Sequence, residues 1–169
     1  MTNSEMITDW FRKYSDDVFN FLIYYTGQRD VEDIVQEVFI KALRKVDTFN
    51  DQSSPKTWLF SIARNLAVDE IRKQTREKEK VVRMKVMMDR KPLETPEQVY
   101  QLSETNKEIY RGIGYLKRSY QEVLILRGIQ ELTVNETAQV LKWNKNRVKV
   151  TYHRALKALE KKLGGLVNE

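Results

Sequence analysis

Residues 132–163 read LTVNETAQVLKWNKNRVKVTYHRALKALEKKL, with apolar residues returning every three or four positions on either side of one short polar break. That spacing is the period of amphipathic α-helices, so the segment predicts a helical hairpin. Thr133, followed three residues later by Glu136, is a capping-box start for the first helix. Ala138, Val140 and Leu141 supply its apolar face, and Lys142 to Asn144 interrupt the pattern. A second helix then opens near Lys145, with an inward stripe expected at Val148, Tyr152, Leu156, Leu159 and Leu163. Its other face offers Asn146, Arg147, Lys149, Val150, His153 and Arg154. A helix that is apolar on one side and basic, with amide groups, on the other has the donors and the width to read a DNA major groove. The same pattern also describes a plain solvated face.

Charge favours the first reading. Residues 98–169 hold 13 Lys and Arg against 7 Asp and Glu, whereas residues 1–75 hold 10 against 12. The net charge of +6 therefore lies in the segment that carries the hairpin. A local basic excess is the electrostatic footprint of phosphate contact.

Composition closes other routes. A chain of 169 residues that is 41% hydrophobic can bury one medium core or two small ones. Without cysteine there are no disulfides, thiolate zinc sites or thiol redox centres. A single histidine, His153, leaves little for metal binding or acid–base catalysis. No cofactor, metal or enzymatic activity is expected. No apolar run approaches the ~18 residues that cross a bilayer. The N-terminus, MTNSEMITDWFRKYSDD, lacks a basic stretch followed by an apolar one. A cytoplasmic protein without direct membrane insertion is expected.

Helical periodicity continues through the rest of the chain. Met6 to Tyr25 carries Trp10, Tyr14, Val18, Phe21, Leu22 and Tyr25 on one face, and Gly27 ends it. Asp30 to Val46 places Val31, Ile34, Val35, Val38, Phe39, Ala42, Leu43 and Val46 inward, with Asp30 and Glu32 in its first turn. After a polar loop from Thr48, Ser54-Pro55 reads as an N-cap followed by proline at the first helical position. The helix they open runs to about Lys73, with Trp58, Leu59, Ile62, Ala63, Leu66 and Ile71 inward and Ser61, Arg64, Asn65, Asp69 and Arg72 outward. Residues 76–97 mix charges and hold Pro92 and Pro96, as a linker does. Helices near Val99 to Ile113 and Ser119 to Arg127 then precede the hairpin. The expected fold is all-α: two small helical domains, 1–75 and 98–169, joined by a flexible linker at 76–97, the second containing a helix-turn-helix.

Three runs in this order, DVEDIVQEVFIKAL (30–43), FNDQSSPKTWLFSIARNLAVDEIRK (49–73) and SYQEVLILRGIQELTVNETAQVL with RVKVTYHRALKAL, carry a resemblance that covers nearly the whole chain. It resembles the bacterial RNA polymerase sigma factors of the extracytoplasmic-function type. The resemblance implies that Asp30, Asp33, Gln36 and Glu37 dock on core RNA polymerase. It implies that Phe49, Ile62 and Asn65, with the loop Asn50, Asp51, Gln52, Ser53 and Ser54, take a base flipped out of the single-stranded −10 element. Arg64, Arg72 and Lys73 would hold phosphates there. Lys145, Asn146, Arg147, Lys149, Val150, His153 and Arg154 would face the duplex −35 element. Lys142-Trp143 stands where the family often has a glycine nearby, and Val150-Thr151 replaces a more polar pair. The further partner implied is an anti-sigma factor, which can be membrane-anchored.

Physical chemistry fits these roles. Asp30, Asp33 and Glu37 are spaced to share one helical face, and an acidic face on a DNA-binding protein suits a protein partner better than phosphate. An aromatic wall, an aliphatic wall and one amide suit an unstacked base. Structural readings stand beside them: Trp58 as core, Phe49 and Ile62 as part of the same packing, the charged residues as solvated surface. The competing function is a helix-turn-helix regulator acting as a dimer without polymerase, which needs neither the acidic face nor the loop at 50–54. A nucleic-acid hydrolase lacks the clustered acids or histidines it would need.

Overall fold

A computed structural model of the protein describes residues 2–28, 30–51, 53–82 and 104–167. Every regular element among these residues is helical. Helix α1 spans Asn3–Thr26, opened by a reciprocal box between Thr2 and Glu5 and closed by Gly27. Gly27 sits at φ 74°, where a side chain would strain the backbone.

Helix α2 spans Glu32–Lys45, so it starts later than the periodicity placed it. Val31 is the N-cap and its carbonyl accepts the first intrahelical bond, from Val35 N–H at 2.9 Å. Asp30 therefore precedes the helix, and the first-turn acids are Glu32 and Asp33. A 3₁₀ turn at Val46–Thr48 leads into the loop. Helix α3 spans Pro55–Val82, and its start is the expected one: Ser54 Oγ accepts from Thr57 N–H at 3.1 Å. It outruns Lys73 because no glycine or proline follows until Pro92, and Lys, Arg, Glu and Gln are good helix formers. The first residues assigned to a linker thus belong to α3. Residues 83–103, which include the rest of that linker and the expected helix start near Val99, lie outside the described residues.

Helix α4 spans Glu104–Gly114 and α5 spans Arg118–Val123. The latter runs into a π-helical turn, Leu124–Ile129, where Gln130 N–H reaches back to Ile125 O at 2.8 Å. Helix α6 spans Val134–Leu141 and α7 spans Lys145–Val167, both opening where the sequence placed them. Thr133 and Glu136 form the expected capping box.

Helices α1, α2 and α3 pack on one another around Val18, Phe21, Leu22, Val38, Leu59, Phe60 and Ala63. Phe60, absent from the expected inward set, is fully buried edge-on to Phe21 at 5.3 Å. Truncating such a ring costs about 3–5 kcal/mol. Helix α5 and the π turn pack on α7, with α4 and α6 alongside. The two groups meet: α3 lies on α6 and α1 touches α5, so the buried apolar residues form one cluster through both.

Two residues expected inside are outside. Leu43 is 45% exposed and Leu156 is 43% exposed. In α7 the buried stripe runs through Val148, Ala155 and Leu159, and Leu156, one residue further round the 3.6-residue turn than Ala155, falls on the rim. In α2, Ala42 takes the inward place and Leu43 the outer one.

Candidate functional site

Three surfaces carry the residues singled out by the sequence. The first is on α2. Asp33 and Gln36 are exposed and Glu37 is half-buried, and they lie on a face that continues through exposed Ile40. With Leu43 and Phe11 of α1, Ile40 forms an exposed apolar set beside the acids. Phe11 rests edge-on against Phe39 at 5.0 Å, which ties it to α2. Asp30, before the helix, is exposed but lies off the helical face.

The second surface surrounds the start of α3. Phe49 is half-buried between Trp10 at 5.2 Å and Trp58 at 5.4 Å, and Trp10 meets Trp58 at 5.9 Å. These three rings close the end of the three-helix group. Asn50 and Asp51 are exposed, Asp51 in a left-handed conformation at φ 58°. Ser53 is half-buried, and Gln52 lies outside the described residues. Ile62 is buried at 8% exposure, while Asn65, Arg72 and Lys73 are exposed. Phe49 and Ile62 thus both take part in packing, and Asn65 presents its amide to solvent.

Ser54 and Arg64 are held by the second helical group. Arg64 Nε donates to Glu122 Oε1 of α5 at 3.3 Å, and both side chains are largely buried. Burial pushes the Glu122 carboxyl above its ordinary range, opposed by the Arg64 charge and by hydrogen bonds from Tyr25 and Arg64. Burial, reinforced by the Glu122 charge, pushes the Tyr25 hydroxyl up to about 12. Glu136 of α6 forms a second link. Its Oε2 accepts from Thr57 Oγ1 at 2.7 Å and from Ser54 Oγ at 3.3 Å, while Oε1 accepts from Thr133 N–H at 2.9 Å. Burial pushes this carboxyl up, but hydrogen bonds from Thr133, Thr57 and Ser54 outweigh it and hold the group below its ordinary range. Tyr24 stacks on Tyr110 at 5.0 Å and Arg118 lies over Tyr25 at 5.2 Å, completing the seam.

Of the residues in this seam, Glu122, Thr57, Tyr24, Tyr110 and Arg118 were not singled out in the sequence, and Tyr25 and Glu136 only as an inward residue and a cap. One signal was available for Glu122: it shares a helical face with Leu126, four residues on, which is fully buried.

The third surface is the outer face of α7. Lys145, Asn146, Arg147, Lys149, Val150, His153 and Arg154 are all exposed. Asn144 caps the helix, its Oδ1 accepting from Arg147 N–H at 2.7 Å. The turn before it is made by Lys142 in a left-handed conformation, φ 59°, which closes α6. Among the described residues no cluster of His, Cys, Asp and Glu could hold a metal, and no helix is long and apolar enough to cross a membrane.

A three-helix group carrying an acidic–apolar face, followed by a helix-turn-helix group with a basic outer face, is the architecture of a sigma-70-type factor. Residues 10–77 match the family Sigma-70 region 2, and residues 106–159 match Sigma-70, region 4. The ECF RNA polymerase sigma factor SigX of Bacillus subtilis is 36% identical over 154 residues, covering 88% of this chain and 78% of that protein. The RNA polymerase sigma factor YlaC of the same organism is 29% identical over 96% of this chain and 95% of its own length. Among solved structures, the sigma factor RpoE in complex with the anti-sigma factor NepR from Bartonella quintana shares the fold, with a TM-score of 0.77 and 24% identity over 93% of this chain and 96% of that one. The chain belongs to the ECF RNA polymerase sigma factors. Its function is that of the family, to bind RNA polymerase and direct initiation at promoters.

Proposed function

We propose that the two helical groups divide promoter recognition between them. Residues 1–75 dock on core polymerase and engage the −10 element as a melted strand; residues 98–169 read the −35 element as duplex; residues 76–97 set the spacing. The observation that carries this reading is the presence, on one chain, of an exposed acidic–apolar face on α2 and an exposed basic face on α7. An exposed apolar set rimmed by charge marks a protein contact, and the acids beside it would repel phosphate. A dimeric regulator has use for α7 and none for the face of Asp33, Gln36, Glu37, Ile40 and Leu43.

Within the −10 surface, Asn65 supplies the exposed amide and Arg72 and Lys73 the exposed cations. Phe49 and Ile62 serve the fold first and offer only their outer edges to a base. Arg64 and Ser54 are committed to Glu122 and Glu136, so they reach DNA only after exchanging those partners. Promoter engagement in this reading includes parting of α3 from α5 and α6. The regulator expected is an anti-sigma factor, as in the solved relative. The protein works where the polymerase does, in the cytoplasm.

The test is to mix the purified chain with core polymerase, recover the complex, and map the 5′ ends of transcripts made from genomic DNA. The reading expects a stable complex and start sites sharing two upstream elements at fixed spacing. Absence of a complex, or start sites without a shared −35 element, would refute it.

A further inference from the structure

The turn of the helix-turn-helix contains an arrangement that the family reading does not require. Trp143 lies between left-handed Lys142 and the capping Asn144, with its backbone N–H donating to Ala138 O at 3.1 Å. Its ring packs half-buried against the apolar cluster. Over that ring lies the guanidinium of Arg147, with Cζ 3.9 Å from the ring centroid. The backbone N–H of Arg147 is held by Asn144 Oδ1 at 2.7 Å. Arg147 is thus fixed at both ends, its main chain by the cap and its head by an aromatic face that is itself anchored in the core.

We propose that Trp143 is a positioning residue for promoter recognition, holding Arg147 ready to read one base pair of the −35 element. The inference rests on the assignment of α7 to that element. A guanidinium stacked on a ring uses its flat face and leaves its in-plane N–H donors free. Those donors form the fork that pairs with guanine O6 and N7. An arginine ordered before binding also has less rotamer freedom left to lose on contact, so more of the contact energy appears as selectivity. Arg154 and Lys149, exposed on the same helix, make no ring contact of this kind among the described residues.

The test uses holoenzyme formed with the full chain and a panel of promoters carrying every single-base change in the −35 element. Four proteins are compared: Arg147→Ala, Trp143→Leu, Trp143→Phe and the double variant Trp143→Leu/Arg147→Ala. Arg147→Ala should reduce discrimination at one base pair by about tenfold. Trp143→Leu should reduce it at the same base pair to a similar degree, while Trp143→Phe, which keeps an aromatic face, should retain most of it. The double variant should lose no more than Arg147→Ala alone. If Arg147→Ala leaves −35 discrimination unchanged, the assignment of Arg147 itself fails. If Arg147→Ala relaxes discrimination but Trp143→Leu leaves it intact, adds a separate loss in the double variant, or weakens all promoters equally, the positioning role is overturned.

Discussion

Arg64 of α3 and Glu122 of α5 form a largely buried ion pair, 3.3 Å between Nε and Oε1, that joins the two helical groups of the chain. Arg64, proposed above for the −10 surface, is therefore bound to the helical group proposed to read the −35 element. Glu122 also accepts from Tyr25, so the contact is a small network. Removing one partner of such a pair leaves the other charge buried and uncompensated.

The two seam carboxylates should give opposite pH dependences. Glu122 is raised by burial, so its contribution to packing is fully present below its ordinary value of 4.5 and is lost as pH rises through the raised value. Glu136 is lowered, so its contribution is present above 4.5 and is lost as pH falls through the lowered value. Thermal unfolding of the full chain across this range should show both. Glu122→Gln should leave only the loss on acidification, and Glu136→Gln only the loss on raising the pH. Identical profiles for the two variants would contradict the assigned shifts.

Polymerase docking is tested on α2. Asp33 is exposed and Glu37 half-buried, so Asp33→Lys with Glu37→Lys should leave helical content unchanged. Binding to core polymerase, read by surface plasmon resonance, should fall at least tenfold, about 1.4 kcal/mol. Normal affinity would move the docking surface elsewhere.

What could be read from the sequence was local. Ser54-Pro55, Thr133 with Glu136, and Gly27 mark helix ends through bonds made within a few residues, and the structure has those ends. The exposure of Asn146, Arg147, Lys149, His153 and Arg154 follows from the same helical period. Leu43 and Leu156 were misplaced because period alone cannot say which of two adjacent apolar residues, Ala42 or Leu43, Ala155 or Leu156, takes the inner place. That choice depends on how closely the facing helix approaches. The seam was not legible at all, since Arg64 and Glu122 are 58 positions apart and each reads as an ordinary surface charge. The roles given to Phe49, Ile62 and Asn65 came from resemblance, and the burial of Ile62 narrows what that group offers to a base.

The left-handed Lys142 is a local strain in an otherwise regular hairpin. A Cβ costs about 1–2 kcal/mol in that conformation, and glycine gives back part of the difference through its entropy in the unfolded chain. Lys142→Gly should stabilise the chain by about 0.5–1 kcal/mol, read as a rise of roughly 2 °C in Tm. A lower Tm would show that the Lys142 side chain contributes more than its backbone costs.

Asn65 is the sharpest point of the −10 reading. It is exposed on α3, beside Arg64 and one turn beyond Ile62. Asn65→Ala should leave polymerase binding and −35 dependence unchanged while blurring selectivity at a single non-template base. Asn65→Asp should be worse, because the carboxylate loses the amide donor and adds repulsion near phosphate. Transcription from single-base −10 variants checks this, and unchanged base preference in Asn65→Ala would make the residue a solvated helix position.

The most direct test of the whole account is permanganate reactivity of thymines around the −10 element of a promoter recovered with this protein. Core polymerase alone, the chain alone and the two together are compared on linear duplex DNA. The account predicts reactive, unpaired thymines only when both are present, with the signal reduced by changes in either upstream element. Protection of a palindromic duplex by the chain alone, with no melting on addition of polymerase, would contradict it and describe a dimeric helix-turn-helix regulator instead.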